Sequence, residues 1–154
     1  METGSGHQMA STRKGNIFRQ TIEFCPCFFD NLSRTDAARY CLLKGISDTF
    51  LMRSSGKNKK FYAITFNCRG NIKHLKLEAD DDGKCSVEQF KFDNIFLLLQ
   101  HFHQQAIPFQ SQDEMLLLKN FVCRDNPKNL PKPLTMQSIA EWKLKAFQEI
   151  YGLN

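Results

Sequence analysis

The octapeptide Asp48-Thr49-Phe50-Leu51-Met52-Arg53-Ser54-Ser55 sets an arginine inside an apolar run of strand length. Side chains alternate along a strand, so Leu51 and Arg53 share one face and Phe50 and Met52 share the other. A guanidinium keeps its proton at any ordinary pH, and burying it unpaired costs several kcal/mol. An anion must therefore meet Arg53, either an internal Asp or Glu or an external ligand. The residues that follow favour the external ligand. Ser54, Ser55, the Gly56 turn, Lys57, Lys59 and Lys60 bring hydroxyls, backbone N–H groups and cations, with no carboxylate among them. Alone, such a run reads as a solvated hairpin turn. Fed by a strand arginine, it reads as a phosphate cradle.

The flanking sequence predicts sheet on one side and helix on the other. Phe61 to Phe66 is rich in aromatic and β-branched residues, and Asn67-Cys68-Arg69-Gly70-Asn71 turns the chain. Ile72, His74 and Lys76 then alternate against Lys73, Leu75 and Leu77, completing a three-strand antiparallel meander. A weaker strand is expected from Lys84 to Phe90, after the Asp80-Asp81-Asp82-Gly83 turn. Upstream, Ser33 reads as a helix N-cap with Asp36 three positions on, and Ala37, Tyr40 and Cys41 follow at helical spacing until Gly45. A second helix starts at Asp93, with Ile95, Phe96, Leu97, Leu98, Leu99 and Phe102 apolar nearly all round. Residues 104–114 read as a polar loop and Met115 to Val122 as a last strand, while Ile17 to Phe29 reads as an extended arm or short strand. The fold class is α+β: a central antiparallel sheet flanked by two helices, plus an extra C-terminal helix.

Four segments are expected along the chain: a disordered leader at 1–16, the sheet-and-helix domain at 17–126, a proline-containing linker at 127–134 and an amphipathic helix at 135–154. Three of the five prolines fall between Pro127 and Pro133. Thr135 or Ser138 can cap the last helix, and Ser138-x-x-Glu141 has capping-box form. Ile139, Trp142, Ala146 and Ile150 share one face of it.

Composition narrows the function. The chain has 154 residues, 42% hydrophobic and 24% charged, which is globular usage for one domain and a little more. Its net charge of +5 suits an anionic partner but is too mild to announce nucleic acid. No apolar run is long enough for stable membrane insertion, and the polar start lacks a secretory core, so a cytoplasmic protein is expected. Cysteines at 25, 27, 41, 68, 85 and 123 show no C-x-x-C spacing, and the four histidines show no repeated ligand spacing. Neither metal nor cofactor is expected, and the thiols read as reduced, buried small hydrophobes. A phosphatase loop needs arginine six residues after cysteine, but Asn31, Ser33, Ser47, His74, Lys91 and Asn129 stand there. Walker, G-x-S-x-G, G-x-G-x-x-G and H-E-x-x-H motifs are all missing. Only residue type supports a nucleophile–base pair such as Cys68 with His74 or Cys85 with His101. The expectation is a protein that is not an enzyme.

From Phe28 to about Phe102 the chain resembles a Src-homology-2 (SH2) domain, a phosphotyrosine-binding module. The family's G-T-F-L-V-R-E-S is similar to Asp48-Thr49-Phe50-Leu51-Met52-Arg53-Ser54-Ser55, and its I-S-R-x-x-A-E to Leu32-Ser33-Arg34-Thr35-Asp36-Ala37-Ala38. Its Y-x-L-S-V resembles Tyr62-Ala63-Ile64-Thr65-Phe66, and its V-K-H-Y-K-I resembles Ile72-Lys73-His74-Leu75-Lys76-Leu77. Its F-x-S-L-x-x-L-V resembles the start of the second helix, Phe92-Asp93-Asn94-Ile95-Phe96-Leu97-Leu98-Leu99. Five motifs stand in the family's order over about half the chain.

The resemblance implies a non-catalytic module for tyrosine-phosphorylated proteins or peptides. Arg53 would grip the phosphate through two parallel hydrogen bonds, and Arg34 would contact the phosphate and lie over the tyrosine ring. Ser55, with Ser54 in place of the usual Glu, and Lys57 would add donors from the loop. His74 and Lys76 would wall the ring, His74 having as its alternative an internally bonded structural role. Leu75, where many members carry Tyr or Phe, would open an apolar groove for residues after the phosphotyrosine, walled by Ile107 and Phe109 unless these are core plugs. The chain departs from the family at its opening, where Cys27-Phe28-Phe29-Asp30 replaces W-F/Y-x-G. Leu130-Pro131-Lys132-Pro133-Leu134 and the helix beyond resemble an SH2 domain with a partner-recruiting box, as in the suppressor-of-cytokine-signalling family. The other reading of that helix is packing back on the domain. A third possibility is a variant that binds phosphoinositides through the Lys57–Lys60 loop.

Overall fold

Asn16 caps a helix where the sequence suggested an extended arm: its side chain accepts a 2.9 Å hydrogen bond from the Arg19 N–H and opens α1 (Ile17–Ile22). The computed structural model describes residues 16–55, 61–109 and 111–152, except the side chains of 109 and 111–113. Residues 1–15 of the expected leader, and Gly56, Lys57, Lys59 and Lys60 of the expected cradle, lie outside the described residues. In α1 the residues Ile17, Phe18, Thr21 and Ile22 are buried together. Their spacing places them on one side of a helix, whereas a strand would split them between two faces. The chain then lays β1 (Phe28–Phe29) parallel to the next strand. α2 (Arg34–Leu42) starts at the expected cap, Ser33 Oγ accepting from the Asp36 N–H at 3.1 Å.

The meander follows as β2 (Thr49–Ser55), β3 (Phe61–Cys68) and β4 (Asn71–Ala79). Arg53 pairs with Ala63, and Thr65 pairs with Leu51 on one side and His74 on the other. The expected weak strand is two short ones, β5 (Cys85–Val87) and β6 (Phe90–Phe92). α3 (Ile95–Gln104) is capped by Asn94, one residue after the expected start, through a 2.9 Å bond from the Leu97 N–H.

Residues expected as a polar loop pair instead as β7 (Ile107–Phe109) and β8 (Ser111–Leu116). Leu116 is buried and paired with Ile107, and Glu114 holds Lys73 of β4 at 2.6 Å. One apolar anchor and one ion pair thus hold a hairpin whose composition looked like loop. β9 (Asn120–Phe121) runs parallel to β2, and β10 (Lys132–Pro133) pairs with β9, so the proline-containing stretch is partly sheet. α4 (Met136–Tyr151) begins with a capping box formed by Thr135 and Ser138 rather than by Ser138 and Glu141.

Among the described residues the main sheet has the order β10-β9-β2-β3-β4-β5-β6, with β1 beside β2. Its two faces carry different cores. Phe50, Met52, Ile64, Phe66, Leu75 and Leu77 pack with α1, α3 and α4. Leu51 and Val122 pack with Ala37 and Cys41 of α2. Ile139, Trp142, Ala146 and Ile150 of α4 belong to the first core, and the Trp142 ring meets Phe121 edge-on at 5.3 Å. Burying such side chains contributes roughly 1.5–3 kcal/mol for each large one. No helix among the described residues is long and apolar enough to cross a membrane.

Candidate functional site

Strand alternation turns Arg53 away from the large core and toward α2, where it is 1% exposed. Its Nε donates to Thr65 Oγ1 at 3.1 Å, and its Nη1 donates to the Leu32 carbonyl at 3.1 Å. Among the described residues no carboxylate pairs with it, so both anchors are neutral acceptors. These two bonds fix the plane of the guanidinium. They leave Nη2 and one Nη1 proton uncommitted, a fork suited to two oxygens of one anion.

The surroundings are positive. Arg34 is the exposed first residue of α2, at a helix N-terminus that also favours anions. Burial first, and then the Arg34 charge, push the Arg53 pKa down. Burial likewise depresses His74 to about 4, helped by Arg53 and then Arg34, so its ring is neutral at physiological pH. His74 Nδ1 lies 2.8 Å from Thr65 Oγ1. A hydroxyl that accepts from Arg53 has its own proton to give to that nitrogen, so a neutral His74 completes the chain of bonds. This is the internally bonded arrangement weighed for His74.

The two serines part company. Ser55 follows Arg53 by two residues on the same strand face and is half-buried. Ser54 faces the other way, is 0% exposed, donates to Asp30 Oδ1 at 2.8 Å and accepts from the Asn31 N–H at 2.8 Å. Its hydroxyl is therefore committed behind the site and corrects the reading of Ser54 as a phosphate donor. It fastens the turn in which Asn31 adopts a φ of 58°, one residue after Asp30, which stands where the family's opening has glycine, and so places the Leu32 carbonyl. Asp30 is also held by Arg19 at 3.0 Å, while the Arg19 guanidinium lies 5.2 Å over the Phe28 ring.

Lys76 shares the His74 face of β4, stands in solvent and pairs with Glu78 at 3.3 Å. Leu75 departs from expectation. It is 3% exposed and belongs to the large core, with the hairpin tied across its face of β4 by Lys73 and Glu114. It is a covered floor, not an open groove wall. Ile107 is half-buried and packs on that same core, as a plug would, and the Phe109 side chain lies outside the described residues. A surface cavity of about 520 Å³, lined by Glu78, Lys84, Cys85 and Lys91 among others, includes none of Arg34, Arg53 or His74.

Thr65 is the residue that the sequence reading missed. Its signal was present: on β3, Ala63 and Thr65 give a small, partly polar face between the large Tyr62, Ile64 and Phe66. A hydroxyl facing a buried strand arginine is a bond waiting to be counted.

The SH2-domain family model matches residues 27–102, the stretch that holds Arg34, Arg53, Thr65 and His74. Residues 27–102 are an SH2 domain. Over 87 residues, 55% of this chain, it is 34% identical to SH2B adapter protein 3 of Mus musculus and of Homo sapiens. It is 29% identical over 126 residues, 82% of the chain, to human SHC-transforming protein 4. The matches span only 16%, 15% and 19% of those relatives. The solution structure of a Monosiga brevicollis CRK/CRKL-homologue SH2 domain is 30% identical, with a TM-score of 0.48 over 56% of this chain and 82% of that one. Around the SH2 domain, α4 lies beyond the matched stretch yet shares its core. All six cysteines are free and buried, and burial raises the Cys41 and Cys85 thiols to about 12.

Proposed function

We propose that this chain is a non-catalytic recognition module that docks tyrosine-phosphorylated peptides of signalling proteins. One observation carries the reading: Arg53 is buried, held by two neutral acceptors and flanked by Arg34, with no carboxylate among the described residues to neutralise it. A dianion is the ligand such a site lacks. Arg53 grips two phosphate oxygens, Arg34 closes over the phosphate and ring, and Ser55 with Lys57 donates from the loop. His74 and Lys76 stand along the ring. Charge-assisted bonds contribute roughly 1.5–3 kcal/mol each, so the phosphate supplies much of the affinity and binding weakens with salt.

Residues after the phosphotyrosine are read with an apolar preference, through the surface around the half-buried Ile107. The enzyme alternative is disfavoured by the thiols: a nucleophile needs a thiolate, and burial holds Cys85 protonated. A degenerate phosphotyrosine peptide library and its unphosphorylated twin, titrated against wild type and Arg53→Ala, test the proposal. Binding that needs both the phosphate and Arg53 supports it. Equal binding of the two libraries, or an unchanged Arg53→Ala, overturns it.

A further inference from the structure

Leu130 is 67% exposed, more than any other large apolar side chain among the described residues, and it stands on a turn that is firmly held. The Asn126 N–H donates to the Cys123 carbonyl at 3.0 Å, and the Asn129 N–H donates to the Asn126 carbonyl at 3.1 Å. Just before the turn, the Arg124 N–H donates to the Pro26 carbonyl and its guanidinium clamps three more carbonyls. Just after it, β10 joins the sheet. One exposed leucine means little by itself. This one rims an opening.

With Leu130, the residues Lys44, Cys123, Asn126, Asn129 and Lys132 line a surface cavity of about 440 Å³ between this turn and the end of α2. Cys123 is buried and belongs to the large core, so part of the lining is apolar. Two more exposed leucines, Leu42 and Leu43, directly precede Lys44. No carboxylate lines the cavity, and Lys44 and Lys132 form no ion pair among the described residues. A lysine just past α2 also offsets the negative end of that helix, but Lys132 on β10 has no helix to serve. Asn126 and Asn129 are exposed, and their carboxamides have no hydrogen-bond partner among the described residues. Each can both donate and accept.

We propose that this cavity docks an acidic segment of a partner protein, one that carries a bulky apolar residue beside its carboxylates. The two unpaired lysines meet the carboxylates, Leu130 covers the apolar residue, and the two carboxamides bond the segment's backbone. The concave form favours a peptide over a membrane: a lipid surface needs a projecting basic face, whereas here the amides and the thiol line a hollow. The site is separate from the Arg53 pocket. Arg34 opens α2 and Lys44 lies beyond its other end, about 15 Å along the helix axis at 1.5 Å per residue. Docking here needs no phosphate and does not rest on the phosphotyrosine reading.

The test offers the full chain two libraries of unphosphorylated peptides, one with paired Glu residues beside randomised positions and one with Lys in their place. The Glu library should be enriched in peptides with Leu, Ile, Phe or Met next to the pair. Lys44→Glu/Lys132→Glu should weaken the selected peptides roughly tenfold or more. That double variant should bind the same peptides remade with Lys for Glu, a rescue that an unfolded variant cannot give. Leu130→Ser should weaken them several-fold with an unchanged thermal midpoint. Excess phenyl phosphate should not displace them. No enrichment over the Lys library, indifference to the double charge reversal, or displacement by phenyl phosphate overturns the inference. So does binding to phosphatidylserine vesicles that the double variant loses, when no peptide is selected: the face then serves a membrane. No phosphotyrosine enters the assay, so a failure to select peptides leaves the reading of the Arg53 pocket standing.

Discussion

Arg53 and Thr65 sit on neighbouring antiparallel strands, and the 3.1 Å bond from Arg53 Nε to Thr65 Oγ1 aims the guanidinium without neutralising it. An aspartate at position 65 would hold the arginine equally well and remove its need for a ligand. The hydroxyl keeps the charge available. Thr65→Val preserves shape but strands the Nε donor and the His74 Nδ1 together. Leaving a buried donor unmatched costs about 1–3 kcal/mol, so stability should fall by that order in urea titration. Phosphopeptide affinity should fall roughly tenfold for a comparable loss of aim. An unchanged affinity would mean that the Leu32 carbonyl alone orients Arg53.

A buried, unneutralised cation costs the fold something, and that cost is separable from function. Arg53→Met keeps most of the volume and removes the charge that burial and Arg34 both disfavour. The thermal midpoint should hold or rise, while phosphopeptide binding falls by about 100-fold or more because two charge-assisted bonds are lost. Differential scanning fluorimetry beside peptide titration checks both halves. A collapse of the midpoint would mark Arg53 as a structural partner.

His74 sets an acid limit. The folded ring stays neutral down to about pH 4, because burial disfavours its charge and Arg53 and Arg34 add to that, while the unfolded ring titrates near 6.5. Between those values the unfolded chain binds more protons, so stability rises with pH through this window. The contribution is complete above the unfolded value and is lost as pH falls toward the folded one. His74→Gln should flatten the difference between denaturant midpoints taken at about pH 7 and about pH 5. Peptide binding should weaken below about pH 6, where the phosphate takes up its second proton.

The parts legible in the sequence were those written by local pattern. Alternation gave β2 to β4 and the two faces around Arg53, and Ser33 announced α2. Ser54 was misassigned although the same alternation places it with Phe50 and Met52, because a motif position outweighed the strand period. α1 was missed because Ile17, Phe18 and Ile22 are strand-favouring types, and only the Asn16 cap and a four-residue spacing betray the helix. The β7–β8 hairpin brings Glu114 to Lys73 and Leu116 into the core, contacts between segments distant in sequence. Arg124 is the extreme case: its Nη1 donates to the carbonyls of Cys25 and Phe28 and its Nη2 to that of Glu23, about a hundred residues away. No window of sequence contains such a clamp.

Adjacent serines should give opposite phenotypes. Ser54→Ala removes the acceptor of the Asn31 N–H and the donor to Asp30, both part-buried, at the turn that carries Leu32 and leads into α2. It should cost about 1–3 kcal/mol in stability, with any loss of phosphopeptide affinity following from a loosened turn. Ser55→Ala removes a half-buried hydroxyl on the Arg53 face. It should leave the denaturant midpoint within about 0.5 kcal/mol of wild type while weakening the phosphopeptide several-fold. The decisive readout is the phosphate-specific part of binding, taken as the ratio of phosphorylated to unphosphorylated peptide affinity. Ser55→Ala should lower that ratio, and Ser54→Ala should lower it less. The reverse order would place the phosphate on the other side of the strand and require Arg53 to act from beneath it.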